Sequence, residues 1–394
     1  MKKGTYIFMA VALFIAALNL RPAINSVSPI LDSIRHDLGM SAATASLLTS
    51  IPVLCMGVFS PVAVKCAQRL GIERVIGWSL VIIIIGTVLR MFTHSSFFLL
   101  VTAFISGLGI AAIGPLLSGF IKQHFQSKGP LLISVFTVGL TIGACLASGL
   151  VAPLEDIVHT WQNALAIWAV LAVMGAIIWW LCVMPHAVPV PKVTEPQHVT
   201  KLPWNNGQAW LITVSFGLMA VIFYSVTAWL PPIVQSMGYN KVYAANTLTL
   251  FAFIQIPVSL LLPFVLRKFP SRLLWLLVAS IFELIGFVML TFSALPWLAA
   301  ASIGIGAGAL FSLNLLLPID VTTHAQEAAS WSAMVQAAGY VIGAAGPFIL
   351  GMLHDFTGNY LVAIIGLILV NLVMMGVQII TVTRQQRKYS VTIS

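Results

Sequence analysis

Residues 6–33 read YIFMAVALFIAALNLRPAINSVSPILDS. A helix that crosses a bilayer needs about 20 mostly apolar residues. This run is longer than that, with one charge, Arg21, near its middle and a second, Asp32, near its end. Lys2 and Lys3 precede it as they would in a secretory leader. The apolar run continues far past the short core of such leaders, however, and no small-residue cleavage site follows, so it reads as a retained first span.

Runs of the same kind recur along the chain, near 6–33, 43–65, 75–93, 96–121, 130–152, 162–184, 208–235, 243–266, 273–293, 296–320, 328–350 and 360–383. The expected fold is an all-α polytopic membrane protein with twelve transmembrane helices. Composition agrees: 60% of residues are hydrophobic and 7% charged, against about 25% charged in soluble domains. So large an apolar surplus must face lipid, which excludes a soluble enzyme. Cys55, Cys66, Cys145 and Cys182 lie in or beside apolar runs without metal-ligand spacing and read as small hydrophobes.

The net charge of +9 matters through its placement. With both termini cytoplasmic, the inside segments hold Lys2, Lys3, Lys65, Arg69, Arg74, Lys122, Lys128, Lys192, Lys201, Arg267, Lys268, Arg272, Arg384, Arg387 and Lys388. The outside loops hold only Arg35, Arg90 and Lys241, the bias expected of a multi-pass protein of the inner membrane. Residues 185–207 carry Pro185, Pro189, Pro191, Pro196 and Pro203 among charges and read as a hydrated cytoplasmic linker. It separates a six-helix bundle over 1–184 from a second over 208–394 that ends in a short cytoplasmic tail. The halves echo each other at an offset near 200: Gly139 and Gly143 match Gly339 and Gly343, Gly107 and Gly109 match Gly304 and Gly306, and Pro29-Ile30 matches Pro232-Ile233. Two pseudo-symmetric bundles are therefore expected.

Charges deep in a span are costly and usually face protein or a water-filled cavity. Arg21 and Glu283 are the two such charges. On a continuous helix Arg21, Asn25, Ser28 and Asp32 would share one face. Pro22 and Pro29 lie along that stretch and deprive the carbonyls of Leu18 and Asn25 of their helical donors. A guanidinium there offers a planar fork of donors to a small anion or polar group; the alternative is a permanent partner within the bundle. Glu283 is a candidate for coupling a proton to transport, with a packing role as the alternative. The second half offers Tyr224, Thr227 and Trp229 in span seven, Asn314 in span ten, and Ser332, Gln336 and Tyr340 in span eleven. These suit an aromatic pocket with a few orienting hydrogen bonds, although each taken singly also suits helix packing.

The eight histidines all fall in expected loops, and no Walker-type phosphate loop is present. No cofactor and no enzymatic activity are expected. Expected partners are a small-molecule substrate, membrane lipid and a coupling proton, with no nucleic acid and a monomeric state.

Asn19-Leu20-Arg21-Pro22, Ser26-Val27-Ser28-Pro29-Ile30-Leu31, Ile34-Arg35 and Asp37-Leu38-Gly39 form a first-span signature. Trp229-Leu230-Pro231, Gln336 with Gly339-Tyr340, Gly346-Pro347, and Asp355 with Gly358-Asn359-Tyr360 accompany it in the second half. With these blocks the chain resembles the cyanate and 2-nitroimidazole transporter family of the major facilitator superfamily. The resemblance implies the major facilitator fold and a rocker-switch carrier with Arg21 at its central site. The expected function is secondary transport of a small anionic or strongly polar compound, cyanate-like or nitroimidazole-like. The alternatives are export of amphipathic drugs, with Met and aromatic residues as an adaptable wall, or a membrane-embedded enzyme or sensor. One block departs from the superfamily pattern: where Asp-Arg-x-Gly-Arg is common after span two, the chain reads Gln68-Arg69-Leu70-Gly71-Ile72-Glu73-Arg74, leaving Glu73 as a stand-in for the acidic group.

Overall fold

A computed structural model describes residues 3–125, 129–187, 202–293, 295–322 and 324–393. Among these residues, twelve helices are long and apolar enough to cross a membrane. They are Tyr6–Leu38, Ala42–Leu70, Ile72–Phe92, Ser96–His124, Leu131–Val158, Trp161–His186, Gly207–Ser236, Lys241–Lys268, Arg272–Thr291, Pro296–Asp320, Glu327–Thr357 and Tyr360–Arg384, spans one to twelve. They coincide with the apolar runs but extend past several of them, to Leu38, Leu70, Val158 and Thr357. Helix can continue through the headgroup layer, where apolar side chains are no longer required, so hydropathy alone marks its ends too early. Four histidines expected in loops, His36, His124, His186 and His354, consequently lie near helix ends. Most of the linker expected at 185–207 lies outside the described residues, which resume at Leu202.

The turns are short and locally encoded. Gly39, at φ 61°, ends span one in the left-handed region, and Ser41 accepts from the Thr44 amide to start span two. Gly71, at φ 93°, is the whole connection between spans two and three. Large apolar side chains on the helix surfaces, such as Phe97 at 78% and Phe356 at 81% exposed, are stable only against lipid.

The described chain falls into two compact units, Met1–Val193 with Thr227–Thr249, and Thr194–Val226 with Leu250–Ser394. Within the first, span five meets span one at Gly139 and Gly143, where a β-carbon would collide with Phe14, Ala17 and the Leu18 carbonyl. Gly107 lies on Pro52 and Cys55, and Gly109 on Ser79 and Ile83. Within the second unit, Gly339 and Gly343 meet Phe216 and Ala220, Gly304 meets Phe251 and Ile254, and Gly306 meets Ala279 and Glu283. The glycines correspond at the expected offset, and so do the residues they touch. In lipid, where helix association rests largely on close van der Waals contact, such small-residue seams fix which helices pair. Each unit therefore repeats one packing scheme.

A polar clasp recurs at the start of spans three and nine. Glu73, 1% exposed, takes hydrogen bonds from His124 Nε2 at 2.7 Å and Gln123 Nε2 at 3.2 Å, at the end of span four. In the second unit Arg272 forks onto Asp320, at the end of span ten, at 2.7 and 3.3 Å. The duplicated position carries opposite charge in the two units. Glu73 thus supplies an acid in the departed loop motif, bound to span four.

Candidate functional site

The first span is broken where its prolines fall. Helix runs from Lys3 to Leu18, resumes for one turn over Pro22–Asn25, tightens over Ser28–Ile30 and continues over Leu31–Leu38. Before the break the Asn19 and Leu20 amides reach back only three residues, to Ala16 and Ala17. Arg21 caps the one-turn helix with φ −106° and ψ −29°, and its carbonyl accepts from the Ile24 and Asn25 amides at 3.0 and 2.9 Å. Gly143 allows span five to sit directly on the Leu18 carbonyl that Pro22 leaves without a helical donor.

Breaking the helix disperses the polar face that a continuous wheel predicts. Arg21 and Asn25 are buried, and Asn25 Oδ1 has no hydrogen-bond partner among the described residues. Ser28 Oγ is committed to the Ala228 carbonyl at 2.7 Å, and Asp32, its side chain 48% exposed, lies 3.7 Å from Arg35. The inner pair, Arg21 and Asn25, stays buried at the break.

Ser28 belongs to a larger set of ties within the first unit. Gln235 Nε2 donates to the Pro29 carbonyl at 3.4 Å, and Lys241 Nζ reaches Ser33 Oγ at 3.0 Å and Glu155 Oε2 at 2.8 Å. Ser148 Oγ and Thr249 Oγ1 lie 2.8 Å apart. The end of span seven and the start of span eight are laced in this way to spans one and five. Thr227 and Trp229, both fully buried, lie in this segment.

The second unit assembles aromatic rings. Tyr224 and Tyr340 face each other at 6.3 Å between centroids, and Phe216 meets Tyr340 edge-on at 5.3 Å. Phe223 joins Tyr224 at 5.2 Å and Phe251 at 5.6 Å, and Phe311 lies 6.3 Å from Phe216. Gln336, one turn from Tyr340 on span eleven, is only partly buried. The sequence reading found the two tyrosines and missed the phenylalanines. Phe216 could have been found, since it precedes Tyr224 by eight residues and so shares its helical face.

Asn314 is fully buried; it accepts from Ser215 Oγ of span seven at 2.8 Å and donates to the Leu310 carbonyl of its own helix at 2.9 Å, so one end of its amide ties span ten to span seven. Glu283, 1% exposed, accepts from Asn371 Nδ2 at 2.9 Å, and Gly306 of span ten packs on it. Among the described residues no group of three His, Cys, Asp or Glu is placed to hold a metal ion.

Arg90 requires a correction. Expected in an outside loop, it ends span three with its side chain fully buried, and its Nη2 donates to the Ala23 carbonyl at 3.0 Å. A single mid-length loop cannot be told from a helix end by hydropathy, and a lone arginine beside Met91-Phe92 reads as a loop residue until the fold turns it inward.

The Major Facilitator Superfamily pattern matches residues 7–347. The chain is 35% identical to the "Uncharacterized transporter YycB" of Bacillus subtilis, over 95% of this chain and 93% of that protein. It is 31% identical to the "Cyanate transport protein CynX" of Escherichia coli, over 92% of this chain and 96% of that one. To the "2-nitroimidazole transporter" of Escherichia coli it is 29% identical, over 94% of each chain. Among solved structures, a bacterial homolog of the human lysosomal transporter Spinster, inward-facing and unoccupied, superposes with a TM-score of 0.78 at 16% identity, covering 98% of this chain and 99% of that one. A D-xylose–proton symporter gives 0.71 at 15% identity, covering 94% and 97%. Sequence pattern, relatives and fold agree: the chain is a multi-pass membrane transporter that belongs to the Major Facilitator Superfamily, within its cyanate and 2-nitroimidazole transporter family.

Proposed function

We propose that this transporter carries a small anionic or strongly polar compound, cyanate-like or nitroimidazole-like, across the inner membrane, with both termini cytoplasmic, by rocker-switch alternating access. The observation that carries the reading is Arg21, buried at the break of span one. A charge kept at mid-span normally faces protein or a water-filled cavity, and there a planar fork of donors suits a small anion or polar group. In this reading the halves 1–184 and 208–394, joined by the cytoplasmic linker 185–207, are the moving bodies. Asn25 lends an acceptor beside Arg21, and Thr227 and Trp229, buried in the same compact unit, are further contacts in this reading.

The aromatic group around Tyr224 and Tyr340 supports a planar ring as part of the substrate, since edge and face contacts of this kind stabilise by about 0.5–1.5 kcal/mol per pair. Gln336 adds an amide on the same helical face as Tyr340. The same rings also give the amphipathic-drug reading its support. The buried guanidinium favours the small polar compound, since a large amphipath has no use for Arg21.

The test is thermal stabilisation of the purified protein by cyanate and by 2-nitroimidazole, because a ligand that binds only the folded state raises its apparent stability. Arg21→Lys keeps the charge and loses the fork. The expected result is an unchanged melting temperature without ligand and loss of the ligand-induced rise. A mutant that is stabilised as wild type is would make Arg21 a structural residue.

A further inference from the structure

We infer that Arg90 is a specificity-determining residue: its buried, uncompensated charge gives the site at Arg21 its preference for anions. The inference rests on the reading of Arg21 as the substrate contact. Arg90 is 0% exposed and forms no ion pair among the described residues. One nitrogen, Nη2, serves the Ala23 carbonyl at 3.0 Å, while Nε and Nη1 have no hydrogen-bond partner among the described residues.

A guanidinium does not shed its proton in proteins, so the charge stays when the side chain is buried. Burying a cation without a counter-ion is among the costlier things a fold can do. Tying down a carbonyl does not require it, since a neutral amide donor would serve Ala23 equally well. The positive charge is therefore the part of Arg90 that its role needs.

Position says where that charge acts. Ala23 lies in the one-turn helix Pro22–Asn25 that Arg21 caps. The two residues are two steps apart along the chain, so their α-carbons are no more than about 7 Å apart. Salt screens a buried charge far less than an exposed one. The Arg90 guanidinium thus lies against the turn of broken helix that Arg21 caps, Arg21 serving as the contact and Arg90 as a fixed field behind it. An anion is drawn by both, whereas a neutral compound gains nothing from Arg90.

The experiment compares Arg90→Gln with Arg90→Lys by cyanate titration of the purified full-length protein, read as thermal stabilisation. Gln retains a donor for the Ala23 carbonyl and loses the charge; Lys retains the donor, and titration at about pH 6 or below keeps its ammonium charged against the desolvation that burial imposes. The expected result is a cyanate Kd raised about tenfold in Arg90→Gln and held within about twofold in Arg90→Lys. N-methyl-2-nitroimidazole, which has no ionisable N–H, should respond equally to wild type and both variants. Equal cyanate weakening in the two variants, or none in either, would overturn the inference and leave Arg90 as a tie for the broken span. If Arg90→Gln does not fold, Arg90→Lys decides: normal folding with lost cyanate binding would rule out the charge as the determinant. Loss of cyanate binding in Arg21→Lys with no effect of Arg90→Gln would sink this inference alone. Absence of any cyanate response in wild type would remove the Arg21 reading and this one with it.

Discussion

Arg21 and Glu283 both fall near the middle of their spans, where an arginine or aspartate costs about 2.5–3.5 kcal/mol on insertion scales. Their surroundings separate them. Arg21 occupies a backbone break between the helix that ends at Leu18 and the single turn Pro22–Asn25. Glu283 sits in an unbroken helix, bonded to Asn371 and pressed on by Gly306. That setting favours packing over proton coupling. Glu283→Gln is nearly isosteric and can still accept from Asn371, so stability should change by less than about 1 kcal/mol and uptake driven by a pH gradient should persist. Loss of gradient-driven uptake with substrate exchange intact would instead assign Glu283 the coupling proton. Asn371→Leu, which leaves a buried carboxyl without its donor, should cost about 1–3 kcal/mol in thermal or denaturant unfolding.

At the scale of elements, span number and order were legible because apolar runs of membrane length are hard to mistake, and the break in span one was legible because Pro22 and Pro29 remove defined donors. The duplicated glycines likewise pointed to their seams. The fate of the polar side chains was not legible. Ser28 and Asp32 follow Arg21 at helical spacing, yet a wheel drawn through two prolines assumes a helix that the prolines prevent. Asn314 and Arg90 depended on which helix lay opposite, and tertiary packing decides that. The seam at Gly143 permits a direct test of the break. A β-carbon there would meet the Leu18 backbone, which cannot move aside as a flexible side chain would. Gly143→Ala should therefore destabilise by about 1–3 kcal/mol and weaken ligand binding through displacement of the Arg21 turn. Gly376→Ala, in span twelve with nothing within 4 Å of the added carbon, should be neutral or stabilising by up to about 1 kcal/mol. Equal effects of the two substitutions on the melting temperature would show that the seam does not hold span one.

For the whole molecule, alternating access demands contacts that hold in one state and break in another. The ties between 227–249 and spans one and five have that character. Residues 227–249 belong by sequence to the second half, yet they are fastened to the first by Ser28, Ser33, Ser148 and Glu155. The ties at Ser28 and Ser148 are single neutral hydrogen bonds, each contributing about 0.5–1.5 kcal/mol, while those at Ser33 and Glu155 share the Lys241 ammonium, whose pair with Glu155 at 2.8 Å is partly exposed and so discounted for solvent. A handful of such ties is strong enough to favour one state and weak enough to be overcome by substrate binding. Ser148 and Thr249 bring their hydroxyl oxygens within 2.8 Å, which makes the pair suitable for a reversible covalent lock. In Ser148→Cys/Thr249→Cys, with Cys145 replaced by Ser to prevent exchange, oxidation should abolish transport, and reduction should restore it. Binding of cyanate or 2-nitroimidazole to the oxidised protein should remain measurable by thermal shift, because the lock fixes the 227–249 contacts without touching Arg21. Undiminished transport by fully cross-linked protein would mean that these contacts never open, and substrate would then have to pass without the two halves rocking.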